Sequence, residues 1–265
     1  MGGSSITSSN VGQIRIYNLI QSKKGEFILQ QVWEKTYSSG ITFLKYNKQN
    51  TTLSIGFHNG DIKILKIYLF ETSEVTKNLV DEIGLIKSHK KPICGIDIDF
   101  LLGYMFSISS ESKLYISEIN YQSTIMKVDI TNGGLLALNY NRDYNLLILS
   151  DSLGSLYFYN VSSPINPIKL QAIHSQFNPI ITIKFEDIFC FLGTNQGETF
   201  TFKYSISNEG LNLKQDNSFY SDRKFTVVNA CSYSNLTVVG LSNGSIAIYS
   251  QHNDYPECKI FIIIN

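Results

Sequence analysis

Six similar segments, recurring at forty-odd residues along a chain of 265 residues, predict an all-β fold made of repeated sheets. Each segment is a short apolar strand, a tight turn and a second strand with apolar residues at alternate positions, the period of a strand with one covered face. Composition agrees: 16 Tyr and 16 Phe, with abundant Ile and only five Pro, favour strand. Four-stranded antiparallel sheets repeated at this interval are the blades of a β-propeller. Six units are visible, and the first lacks its innermost strand.

In order, the segments are ITSSNVGQIRIY, LSIGFHNGDIKIL, FSISSESKLYIS, LILSDSLGSLYFY, CFLGTNQGETFTF and VVGLSNGSIAIY. Their turn residues are Gly12, Gly60, Ser112, Gly154, Gly197 and Gly244, at spacings of 48, 52, 42, 43 and 47 residues. Gly, or the pairs Asn59-Gly60 and Asn243-Gly244, supplies the positive φ that a two-residue hairpin demands. An inner strand fits at 41–46, 92–100, 135–140, 180–186 and 227–233, most of these followed by a polar turn such as NKQN or NRDYN. An outer strand fits at 27–33, 83–87, 124–130, 168–173 and 259–264. No helical period longer than one loop helix, over roughly 71–82, competes with this; it lies inside a long acidic connection (68–82) that accounts for the widest spacing. The units run approximately 4–36, 37–90, 91–132, 133–176, 177–223 and 224–265, as one domain over 1–265. The first unit starts inside its second strand and the last ends on an outer strand. The ring is therefore expected to be incomplete, part of a six- or seven-bladed propeller able to self-associate through its open edges.

These segments resemble blades of the tryptophan–aspartate (WD) repeat β-propeller family. Ser88-His89 before KKPICGIDI, and His174 before SQFNPIITIKF, are similar to its Gly-His signature. Tyr17-Asn18 and Tyr159-Asn160 stand where its Trp-Asp dipeptide would be. The signatures are degenerate: Trp33 is the one tryptophan, and it lies in an outer strand. No Asp immediately precedes a turn glycine, so the family's buried His–Ser–Asp–Trp hydrogen-bond chain is expected to be absent from every blade. The order of repeats is similar, more weakly, to the propeller part of proteins that pair it with a FYVE zinc finger.

Charge and motifs narrow the function. Lys+Arg and Asp+Glu each total 22, a balance that argues against bulk nucleic-acid binding or a polybasic membrane-surface role. Four scattered cysteines without C-x-x-C, an N-terminus (MGGSSITSSN) unlike a secretory signal, and no long apolar run make the chain's expected location cytoplasmic, without membrane insertion. Gly240-Leu241-Ser242-Asn243-Gly244 matches G-x-S-x-G, but a strand (SIAIYS) follows instead of a helix, so it reads as a repeat hairpin. His58, His89, His174 and His252 are never locally paired, and no nucleotide loop or Phe-Arg-Arg-Gly lipid motif occurs; neither metal nor cofactor is expected. The basic run Lys87-Ser88-His89-Lys90-Lys91 stands in an outer-to-inner connection. In such propellers these connections (here about 36–40, 87–91, 131–134, 174–178 and 221–225) crowd one top face beside the hairpin turns. The expectation is a non-catalytic protein-interaction platform or adaptor. Lys87, His89, Lys90 and Lys91 are its candidate partner-binding residues, favouring an acidic partner. The alternatives are a propeller hydrolase with its site at the central channel, or the propeller part of a membrane-recruited FYVE-type adaptor.

Overall fold

The computed structural model describes residues 11–21, 25–68, 79–131, 133–174, 176–186, 189–207, 210–220, 227–233, 236–243, 245–250 and 258–263. Strands β1 (Gly12–Gln21) and β2 (Phe27–Tyr37) form a two-stranded sheet. Five four-stranded antiparallel sheets follow, each with its strands in chain order. The first contains β3 (Ile41–Asn47), β4 (Thr52–Phe57), β5 (Asp61–Ile67) and β6 (Val80–Lys87). The next contains β7 (Ile93–Asp99), β8 (Tyr104–Ser109), β9 (Lys113–Glu118) and β10 (Ser123–Asp129). Then come β11 (Leu135–Asn141), β12 (Leu146–Asp151), β13 (Leu156–Asn160) and β14 (Ile168–Ile173). β15 (Ile180–Glu186), β16 (Phe189–Thr194), β17 (Glu198–Ser207) and β18 (Gly210–Tyr220) make the fourth. β19 (Val227–Tyr233), β20 (Leu236–Leu241), β21 (Ser245–Ser250) and β22 (Cys258–Ile263) make the last. Among the described residues these sheets do not close into a ring.

Three sequence expectations need correction. The loop helix weighed over 71–82 is not borne out at its end, because Val80 already begins β6; 69–78 lie outside the described residues. β18, with its polar sequence GLNLKQDNSFY, is an outer strand that β propensity does not reveal; it forms by pairing along the whole of the ten-residue β17. The hairpin turns also have three residues where two were expected. At 58–60 the Gly60 N–H donates to the Phe57 carbonyl, and only Gly60, at φ 87°, is left-handed. That is a type I turn closed by a left-handed glycine. Gly154 and Gly197 repeat it at φ 77° and 82°. The expected second strand of the first unit, before Gly12, lies outside the described residues.

Burial follows the two-residue period of a strand. Along β12 every side chain is buried, because both faces are covered by neighbouring blades. Leu147 and Leu149, with Tyr157 and Tyr159 of β13, pack against Phe106, Ile108, Leu114 and Ile116 of the preceding blade. The alternate set, Leu146, Ile148, Leu156 and Phe158, packs against Ile183, Leu192, Phe200 and Phe202 of the following one. One blade thus divides its side chains between two cores. The outer strand β10 alternates between exposed and half-buried positions instead.

The innermost strands of successive blades lie side by side, and polar groups tie them together. The Asp97 carboxylate of β7 takes an ion pair from Lys45 of β3 at 2.5 Å. It also accepts from the Asn139 amide at 3.3 Å and the Tyr140 N–H at 2.9 Å, both on β11. Asn139 in turn accepts the Phe185 N–H of β15 at 3.2 Å. Lys45, Asp97 and Asn139 are each the fifth residue of their strand, so a repeated register makes a polar belt across four blades.

Candidate interaction surface

Among the described residues, hairpin turns between second and third strands bond to the loop that enters their blade, to the loop that leaves it, or, at 151–155, to both. On the entering side, the His58 N–H donates to the Gly40 carbonyl, Ser152 to Gly134 and Asn195 to Pro179, at 2.8–2.9 Å. On the leaving side, the Ile130 N–H donates to the Ser112 carbonyl at 3.0 Å, and Phe177 to Gly154 at 3.4 Å. A Cβ on Gly60 would lie 2.3 Å from the His89 carbonyl oxygen. The close approach, as well as the positive φ, is why glycine stands there. Among the described residues, turns and loops therefore stand together along one rim. The loop at 221–225 lies outside the described residues, as do 132 and 175.

Lys87, Lys90 and Lys91 are exposed on this rim, and none has an ion-pair partner among the described residues. His89 is different. Its side chain is buried, which removes it from the residues able to touch a partner. Nδ1 lies 3.1 Å from Ser109 Oγ, Nε2 lies 2.9 Å from Ser107 Oγ, and the ring packs on Tyr115 at 4.1 Å between centroids, tilted by 50°. Ser109 donates its own hydroxyl to Glu111 at 3.1 Å, so it must accept from Nδ1–H, which leaves Nε2 to accept from Ser107. The His–Ser–carboxylate part of the polar chain expected to be absent from every blade is present here, with Glu111 in place of Asp and no tryptophan at its end. The signal was in the sequence: Glu111 immediately precedes Ser112, the turn residue.

Burial holds His89 at about 4, below its ordinary 6.5, against the opposing pull of Glu111. The ring is thus neutral at neutral pH, and the 3.5 Å approach of Glu111 is a polar contact and not an ion pair. An unfolded chain binds this proton near pH 6.5, whereas the native state resists it down to about 4. The contribution is complete above pH 6.5 and is lost as pH falls toward 4. Urea unfolding of wild type and His89→Gln across this range should show wild type alone gaining about 1 kcal/mol per pH unit on rising from 4.5 to 6. Parallel pH dependences would show that His89 titrates alike in both states.

The next blade builds its rim differently. Asp151, at the end of β12, accepts from Thr131 at 2.7 Å, from the Leu153 and Ser155 N–H groups at 2.9 Å each, and from Tyr157 at 2.9 Å. Burial opposes its ionisation, but these donors outweigh it and hold the carboxyl below its usual range. His174, the other histidine of the resemblance, is exposed and meets Tyr157 edge-on at 5.9 Å. Gly240 and Ser242 of the G-x-S-x-G lie in and just after strand β20, and strand β21 follows, which is hairpin geometry and not a strand-to-helix elbow. Cys94 and Cys190 are free thiols whose pKa values burial pushes up, Cys94 to about 12. Among the described residues no three His, Cys, Asp or Glu side chains gather as a metal site requires.

The sequence matches no family model and no curated protein. Solved structures match the architecture. Sqt1 from Chaetomium thermophilum has a TM-score of 0.70 over 91% of this chain, at 12% identity. This is the WD-repeat β-propeller fold. The chain spans 64% of that Sqt1 chain. Sqt1 bound to the N-terminus of the ribosomal protein L10 has a TM-score of 0.71, at 12% identity, covering 92% of this chain and 68% of that one. A chain of the Mitotic Checkpoint Complex has a TM-score of 0.69, at 12% identity, covering 97% and 77%.

Proposed function

We propose that this propeller is a non-catalytic, cytoplasmic protein-interaction platform that binds an acidic partner through its rim of loops and turns. One observation carries the reading: Lys87, Lys90 and Lys91 are exposed, with no ion-pair partner among the described residues, on a loop whose backbone is fixed from within. His89 anchors that loop through two serines, and its carbonyl abuts the Gly60 turn. Binding residues characteristically stand on loops held by a rigid scaffold. A propeller of the same fold, Sqt1, holds a segment of another protein, which supports the reading by analogy of fold.

The test is capture from cell extract on the immobilised chain, followed by a broad esterase, glycosidase and phosphatase screen on the purified protein. The expected result is saturable, salt-sensitive binding of one or a few acidic proteins with no turnover. Turnover of any of these substrates would overturn the reading in favour of a channel-sited hydrolase.

A further inference from the structure

Below the rim, the side of the molecule between the second and third blades carries a groove of about 410 Å3. Leu85, Lys87 and Ser88 form one wall; Gln122, Thr124 and Lys127 form the other. The walls are fixed to one another, because the Leu85 N–H donates to Gln122 Oε1 at 3.1 Å. Thr124 is occupied by the Ser117 hydroxyl at 3.2 Å, and Lys127 lies 5.3 Å over the Tyr115 ring that packs on His89. Two features point to what the groove lacks. Its lining contains two ammonium groups and no carboxylate. The Ser88 hydroxyl is buried and has no hydrogen-bond partner among the described residues, a state that costs free energy until an acceptor arrives.

We infer that this groove receives carboxylate side chains from an extended acidic segment of a partner protein, which then continues upward to Lys90 and Lys91 on the rim. The inference rests on the platform reading and adds to it the entry point of the segment and the chemistry it must carry. Lys87 and Lys127 supply charge-assisted hydrogen bonds from opposite walls, and Ser88 donates the neutral one once its buried hydroxyl turns toward the groove. A cleft of this volume is within the range that encloses a small ligand, so it takes a few side chains and not a folded surface.

Fluorescence anisotropy with a fluorescein-labelled octaglutamate peptide, at about 50 mM salt where screening is modest, tests this on the whole chain. The joint variant Lys87→Gln, Lys127→Gln should weaken binding about tenfold or more, as loss of two charge-assisted contacts requires. Ser88→Ala changes no charge, and losing one neutral hydrogen bond should weaken binding about two- to fivefold. Lys203→Gln with Lys214→Gln, two exposed lysines of the fifth blade, removes the same charge elsewhere and should have less than about twofold effect. Absence of octaglutamate binding would overturn the inference, as would an unchanged affinity in Ser88→Ala or an equal loss in the fifth-blade pair. Binding of a serine-phosphorylated peptide but not octaglutamate would also overturn it. Any of these results leaves the platform reading to be decided separately by the capture experiment.

Discussion

Replacing Gly154 by Ala should cost about 4 kcal/mol of folding stability, from left-handed strain plus a collision that only backbone movement relieves. Gly154 sits at φ 77°, and a Cβ there would lie 1.7 Å from the Phe177 carbonyl oxygen. No rotamer change relieves a clash with a main-chain atom, so the turn or the loop leaving the blade must shift. That shift breaks the clasp that builds the rim. In thermal unfolding the variant should melt about 8–12 °C below wild type for a domain of this size. Gly84→Ala is the control, since its Cβ would meet only the Ile64 side chain at an ordinary 3.6 Å. Its change should stay within about 0.5 kcal/mol. Equal effects at the two glycines would show that the loop-to-turn contact is not what the glycine protects.

Removal of the Asp97 carboxylate is the second large effect expected. Asp97→Ala strands the Lys45 ammonium of β3 together with the Asn139 amide and the Tyr140 N–H of β11, on the inner strands to either side. Truncating a buried charged partner costs about 3–5 kcal/mol, and the partial exposure of Lys45 places this case near 3. Asp97→Asn keeps one acceptor oxygen and should recover about half of that loss. Denaturant unfolding checks both values. Because the belt joins separate blades, the Ala variant should also lose cooperativity, seen as a lower dependence on denaturant. A change below about 0.5 kcal/mol would mean that apolar contact alone holds the inner strands.

Much of the architecture is legible in the sequence because its strongest signals are local. Gly60, Gly154 and Gly197 mark turns that need a left-handed residue, and runs such as LLILS mark strands covered on both faces. β18 is hidden because its formation depends on the partner strand and not on its own residues. The described connections near residues 40, 89, 130–134 and 177–179 lie beside hairpin turns, because four antiparallel strands per blade return the chain to the same end. His89 stands both at the Gly-His position of the resemblance, which implies a hydrogen-bonded blade-edge histidine, and in the basic run, which alone does not separate it from its lysine neighbours. All four belong to one polar run, and what distinguishes the histidine is burial against Ser107 and Ser109, eighteen and twenty residues away. The belt of Lys45, Asp97 and Asn139 was equally available, at the fifth position of each inner strand, but only an alignment of the repeats on one another exposes it. Groove and unpartnered Ser88 hydroxyl arise from the approach of β6 to β10, for which no local pattern exists.

The platform account is tested most directly by the association kinetics of the captured partner with wild type and with Lys87→Glu, Lys90→Glu, Lys91→Glu. Exposed rim charges act chiefly on encounter, so surface plasmon resonance at low and high salt separates them from contacts that set the lifetime of a complex. The account predicts association slowed about tenfold at low salt, a flattened salt dependence and a dissociation rate nearly unchanged. Association rates and salt dependence identical to wild type would contradict it.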